Sequence, residues 1–120
     1  MSTPNDTTIY HNPQCSNSRN ALALIREASI EPQVVLYLET PPSREQLVRL
    51  IADSGLTVRE VLRAKGDVYE SMGLAALHWT DDQLLDAMVA HPVLINRPIV
   101  VTPKGTALCR PPEKVLALLP

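Results

Sequence analysis

A chain of 120 residues with ordinary apolar and charged content builds one domain around one real core and is too short for two. Its formal charge of −2 at pH 7 argues against nucleic acid as the main partner, because phosphate backbones are held by clustered excess base. No apolar run approaches the roughly 20 residues of a membrane span, and two distant cysteines make no secreted disulfide scaffold, so a reducing cytoplasm is the expected compartment.

Residues 1–6 read as a polar lead with no signal-peptide core, and residues 7–11 as a first strand. His11-Asn-Pro-Gln-Cys15-Ser-Asn-Ser-Arg-Asn20 then turns through Pro13 into an Ala/Leu-rich helix that runs to Ser29. Glu31-Pro32 ends that helix, and residues 33–38 form a near-continuous apolar run that reads as a buried strand. Strand, helix and strand make a βαβ unit with parallel neighbours. Three capping boxes follow: Ser43 with Gln46, Thr57 with Glu60, and Thr80 with Gln83. They open helices that bury Leu47, Leu50 and Ile51, then Val61 and Leu62, then Leu84, Leu85, Met88 and Val89, with Gly55 as a C′ residue. Tyr69, Met72, Leu74 and Leu77 form a weaker helical stripe between them. Residues 98–101 and 106–109 read as a hairpin around Pro103-Lys104-Gly105. Pro111-Pro112 starts a last helix with Val115, Leu116 and Leu119 inward. The order is α/β throughout: β-α-β, a helical insertion at residues 43–92, then β-β-α, all within one domain spanning residues 1–120.

Cys15 carries the chemistry. The first turn of a helix leaves N–H groups unpaired at its positive end, which lowers a thiol's pKa and favours an incoming anion. A thiol of ordinary pKa, about 8.5, is only a few per cent thiolate at pH 7, so such a shift multiplies the nucleophile. Cys109 lies in a strand beside Leu108 with no helix start near it and reads as core packing. The motif Cys15-Ser-Asn-Ser18 cannot close its own disulfide, so an oxidised or adducted Cys15 needs an outside thiol. Ser18 can donate its hydroxyl to the thiolate or serve only as a helix serine. His11, four residues before Cys15, is an imidazolium partner or merely the end of a strand. A C-x5-R phosphatase loop is excluded, because the residue six after Cys15 is Ala21. Arg19 reads as a structural cap or pair. His78 and His91 read as surface or helix-end residues, and no Cys/His spacing suggests a metal site.

A cysteine opening the first helix and a proline before the third strand resemble the thioredoxin fold. The blocks Ile9-Tyr-His-Asn-Pro13, Cys15, Ser18-Arg19-Asn20, Tyr37-Leu-Glu-Thr-Pro-Pro42, Leu94-Ile-Asn-Arg-Pro-Ile-Val-Val-Thr-Pro103 and Leu108-Cys109-Arg110-Pro111 narrow this. In that order they resemble the glutaredoxin-coupled arsenate reductase family, in a short form ending before the charged tail that many members carry. The resemblance implies a cis peptide at Pro98, Cys15 as nucleophile with His11 and Ser18 tuning it, and Arg63, Arg97 and Arg110 on the oxyanion. Guanidinium groups suit that task because they stay charged and grip tetrahedral oxyanions bidentately. It further implies arsenate or a similar oxyanion as substrate, no tightly bound cofactor, glutathione as co-substrate and glutaredoxin as partner. Two other readings stand beside it: a glutathione-dependent thiol oxidoreductase of the same fold, and a non-catalytic regulator that binds a protein. The three arginines argue against the regulator, which has no use for an oxyanion trap.

Overall fold

The computed structural model describes residues 6–120, so all but Asp6 of the polar lead lies outside the described residues. Four short strands form one mixed sheet in the order β2-β1-β3-β4. β1 (Thr8–His11) runs parallel to β2 (Gln33–Leu36), and α1 (Ser16–Glu27) is the crossover between them. β3 (Ile99–Thr102) lies antiparallel to β1, and β4 (Gly105–Leu108) antiparallel to β3, with Tyr10 opposite both Val35 and Ile99. Apolar residues of the central strands and of α1 face one core made of Ile9, Ala21, Leu22, Ile25, Val100, Cys109, Val115, Leu118 and Leu119. Thr102 ties the hairpin to the chain's end: its buried hydroxyl donates to Leu118 O at 2.7 Å and accepts from Lys104 N at 3.1 Å.

Three expectations change here. The strand at residues 33–38 stops at Leu36 and is an edge strand, not a buried one, with Leu36 and Leu38 exposed and Tyr37 buried. It ends because the N–H groups of Glu39 and Thr40 turn back to Leu36 O, at 2.9 and 2.8 Å. α1 stops at Glu27 rather than Ser29, since Ser29 takes a left-handed φ of 65°. Ser29 N then bonds Arg26 O and Ile30 N bonds Ile25 O, which is a Schellman closure made without glycine. The last helix is a 3₁₀ segment, Pro112–Leu118. Three residues per turn put Pro112, Val115 and Leu118 inward and leave Leu116 exposed, where a 3.6-residue period places Leu116 inside.

The strands, α1 and the 3₁₀ segment make up one compact unit, which comprises residues up to Thr40 and Arg97–Pro120; Pro41–Asn96 make up the other. In the second unit α2 (Arg44–Ser54), α3 (Val58–Val61) and α5 (Asp81–Ala90) each open on a complete capping box, and Gly55 closes α2 in the left-handed region at φ 74°. α4 (Asp67–Ser71) is a single short turn. Of the expected stripe around it only Leu74 is buried, and Leu77 is exposed. Leu62 falls just past α3 and pairs with Ile95 in an isolated bridge, and Val89 faces solvent. Arg44 of α2 reaches Asp82 and Asp86 of α5 at 3.0 Å each, an exposed network worth little to stability.

Candidate active site

Cys15 sits at the N-cap of α1 with extended backbone angles, φ −98° and ψ 123°. The turn before it is closed by its own N–H, which donates to Asn12 O at 3.0 Å, while its carbonyl accepts the N–H of Arg19 at 3.0 Å. The side chain makes no capping hydrogen bond of the kind the serine and threonine caps make. The thiol nevertheless lies below its ordinary pKa. Burial opposes the thiolate but is outweighed by the Ser18 N–H, the Arg97 charge, the Asn17 N–H and a hydrogen bond from the Arg97 side chain.

The arginines arrive through the hairpin. Its ladder sets Ile99 opposite Leu108 and extends one step to a bond from Cys109 N to Pro98 O, at 2.9 Å. Arg97 and Arg110 are the next residues outward on the two strands. Both precede a proline across a cis peptide, Arg97–Pro98 and Arg110–Pro111, of which the sequence pointed only to the first. Pro98 is fully buried. Arg110 Nη1 donates to Arg97 O at 3.0 Å and lies 3.9 Å from the Cys15 sulfur. One guanidinium therefore supports the other's backbone while both face the thiol.

Ser18 and His11 take other parts than their spacing suggests. The buried Ser18 hydroxyl accepts the Asn12 N–H at 3.0 Å and shares a 2.5 Å hydrogen bond with His11 Nδ1. It is the backbone N–H of Ser18 that eases ionisation of the thiol. His11 is buried, and burial, with the Arg26 and Arg19 charges adding, pushes its imidazole below the ordinary value. That favours a neutral ring holding Ser18 over an imidazolium beside the thiolate. Arg63 lies in the other unit, just past α3, where its N–H donates to Leu94 O at 2.7 Å. His78 is exposed and stacks on Trp79 with ring centroids 5.1 Å apart.

Asn12 of the loop has a contact that sequence reasoning missed, and Arg19 of α1 makes the structural bond its position suggested. Asn12 Oδ1 accepts the Gln14 N–H at 2.9 Å, and Arg19 Nη1 donates to Pro13 O at 2.8 Å. The Asn-x-Gln spacing of an Asx turn was the available signal for the first. Cys109 is fully buried, its S–H directed at Ala107 O at 3.7 Å, and burial pushes its thiol up to about 11. Among the described residues no group of three or more His, Cys, Asp or Glu is placed to hold a metal ion, and no helix is long and apolar enough to cross a membrane. Chemically, the arrangement is a thiolate-forming cysteine between helix amides and two fixed guanidiniums. It suits attack on a compact oxyanion.

The ArsC family model matches residues 10–118 of the chain. An arsenate reductase of Escherichia coli is 63% identical over 113 residues, which are 94% of this chain and 80% of that protein. An arsenate reductase of Rhizobium meliloti (strain 1021) is 58% identical, over 94% of this chain and 81% of the other. Among solved structures, an arsenate reductase from Vibrio cholerae superposes with a TM-score of 0.90 at 48% identity, covering 94% of this chain and 97% of its own.

Proposed function

The chain belongs to the ArsC family, and we propose that it is an arsenate reductase in which Cys15 takes up the oxyanion and outside thiols complete the reduction. Its fold is thioredoxin-like, a mixed four-stranded sheet with helices. The observation that carries the reading is the Cys15 sulfur, eased towards the thiolate by helix amides and Arg97, with Arg110 Nη1 3.9 Å away.

The thiolate attacks arsenic, a sulfur–arsenic bond forms, and one arsenate oxygen leaves as water once protonated. Arg97 and Arg110 offset the charge on the remaining oxygens. Glutathione attacks the adduct and, with glutaredoxin, supplies the electron pair that takes As(V) to As(III). Two thiols end as one disulfide, arsenite departs, and Cys15 returns as a thiol. An outside thiol is needed because Ser18 stands where a C-x-x-C motif has its second cysteine, and because Cys109 is buried with a raised pKa. A reducing cytoplasm supplies that thiol.

The test is NADPH-coupled turnover of arsenate with glutathione, glutaredoxin and glutathione reductase. Turnover should vanish in Cys15→Ser and without glutaredoxin. Wild-type turnover in Cys15→Ser would sink the reading. Reduction of a mixed disulfide with no turnover of arsenate would move it to a general thiol oxidoreductase.

A further inference from the structure

The loop between β1 and α1 has one peptide plane held at both ends by side chains. The Pro13–Gln14 unit presents a carbonyl, which accepts from Arg19 Nη1 at 2.8 Å, and an amide, which donates to Asn12 Oδ1 at 2.9 Å. Asn12 is committed three times over. Its N–H donates to Ser18 Oγ at 3.0 Å, its carbonyl accepts the Cys15 N–H at 3.0 Å, and its side chain closes the Asx turn. Pro13 and Gln14 are both exposed. A peptide plane free to rotate reverses a dipole of about 3.5 D in the turn that leads directly into Cys15.

We propose that Asn12 and Arg19 are positioning residues that clamp the Pro13–Gln14 peptide, and so fix the loop on which the Cys15 sulfur rides over the Asn17 and Ser18 amides. Neither side chain need touch substrate. The clamp rests on the reading of Cys15 as the nucleophile and acts before any oxyanion arrives. Each bond is solvent-exposed and individually weak, so the effect of losing one is graded rather than total. The charged and titratable groups around the sulfur, Arg97 and Arg110 from the hairpin and His11 from β1, are the same in every variant below.

The experiment is the pH dependence of Cys15 alkylation by iodoacetamide, located by peptide mass spectrometry, for wild type, Asn12→Ala and Asn12→Ser. Serine can close the same turn more weakly. The alkylation midpoint should rise in Asn12→Ala, with a rate at pH 7 about three-fold lower, and Asn12→Ser should recover part of it. An unchanged profile in a folded Asn12→Ala, or Asn12→Ser no better than alanine, overturns the proposal. If Asn12→Ala does not fold, Arg19→Ala and Arg19→Gln decide by the same readout. Both lose the charge, and only glutamine keeps a donor for Pro13 O, so equal profiles overturn the clamp. No substrate enters the assay, so loss of the arsenate reading would appear separately, as absent wild-type turnover beside intact alkylation profiles.

Discussion

Arg97 and Arg110 both face Cys15, yet the geometry assigns them different work. At 3.9 Å a full pair of charges is worth about 1 kcal/mol in water and about 4 kcal/mol at an effective dielectric of 20. Arg110 Nη1 gives one of its two hydrogens to Arg97 O at 3.0 Å and meets the sulfur with the other only at 3.9 Å, so its influence on the thiolate lies near the lower figure. Arg97 acts on the thiolate by charge and by a side-chain hydrogen bond together. Arg97→Gln should therefore slow Cys15 alkylation at pH 7 by about ten-fold, and Arg110→Gln by no more than about five-fold. The sign is fixed: removing a cation raises the thiol pKa, so the deficit is greatest at neutral pH and closes as pH rises above both thiols' ionisation. Arsenate turnover should show the reverse weighting for Arg110, with kcat/KM about 10²-fold down, as for loss of one oxyanion donor. An Arg97→Gln alkylation profile that superposes on wild type, or an Arg110→Gln deficit as large as that of Arg97→Gln, refutes the division.

Thr102→Val keeps shape and removes both hydroxyl bonds of a buried residue. It should lower stability by about 1–3 kcal/mol in urea unfolding, and a change under about 0.5 kcal/mol would show that the Leu118 and Lys104 groups find other partners. Cys109→Ala should retain arsenate turnover, and wild-type Cys109 should resist iodoacetamide at pH 8 while Cys15 reacts; loss of turnover in a folded Cys109→Ala would make it a resolving thiol. His11 is pushed below its unfolded pKa of about 6.5, so its contribution to stability is full above that value and is lost as pH falls below it. Urea midpoints at pH 7.5 and 5.5 should differ less in His11→Gln than in wild type, and an equal difference would mean that burial of the ring carries no linkage.

Much of the fold was legible because its signals are local. Each capping box is a bond between residues three apart, and Ser43, Thr57 and Thr80 all close theirs onto Gln46, Glu60 and Gln83. What failed depends on neighbours distant in sequence. Residues 33–38 are apolar enough for a buried strand, but burial of a strand is decided by sheet order, and β2 has β1 on one side only. The Ser29 closure was unreadable for a different reason: a non-glycine residue in the left-handed region is held there by the bonds it completes, not by its own preference.

In the site, the cysteine at a helix start was legible, and the roles around it were not. Spacing places Ser18 one turn beyond Cys15, which suggests its hydroxyl. Spacing says nothing of β1, whose last residue brings His11 Nδ1 to that oxygen, with the Asn12 N–H beside it. A hydroxyl has one proton. If it goes to Nδ1, none remains for the sulfur, and the residue serves the thiolate through its backbone instead. The arginines make the same point across a longer distance. Each stands before a proline and reads alone as a surface charge; only the register that sets Ile99 opposite Leu108 makes Arg97 and Arg110 neighbours. Which side chains meet at Cys15 is thus a property of strand pairing. A substitution that slipped the β3–β4 register would dismantle the arginine side of the site while leaving the α1 amides on the sulfur.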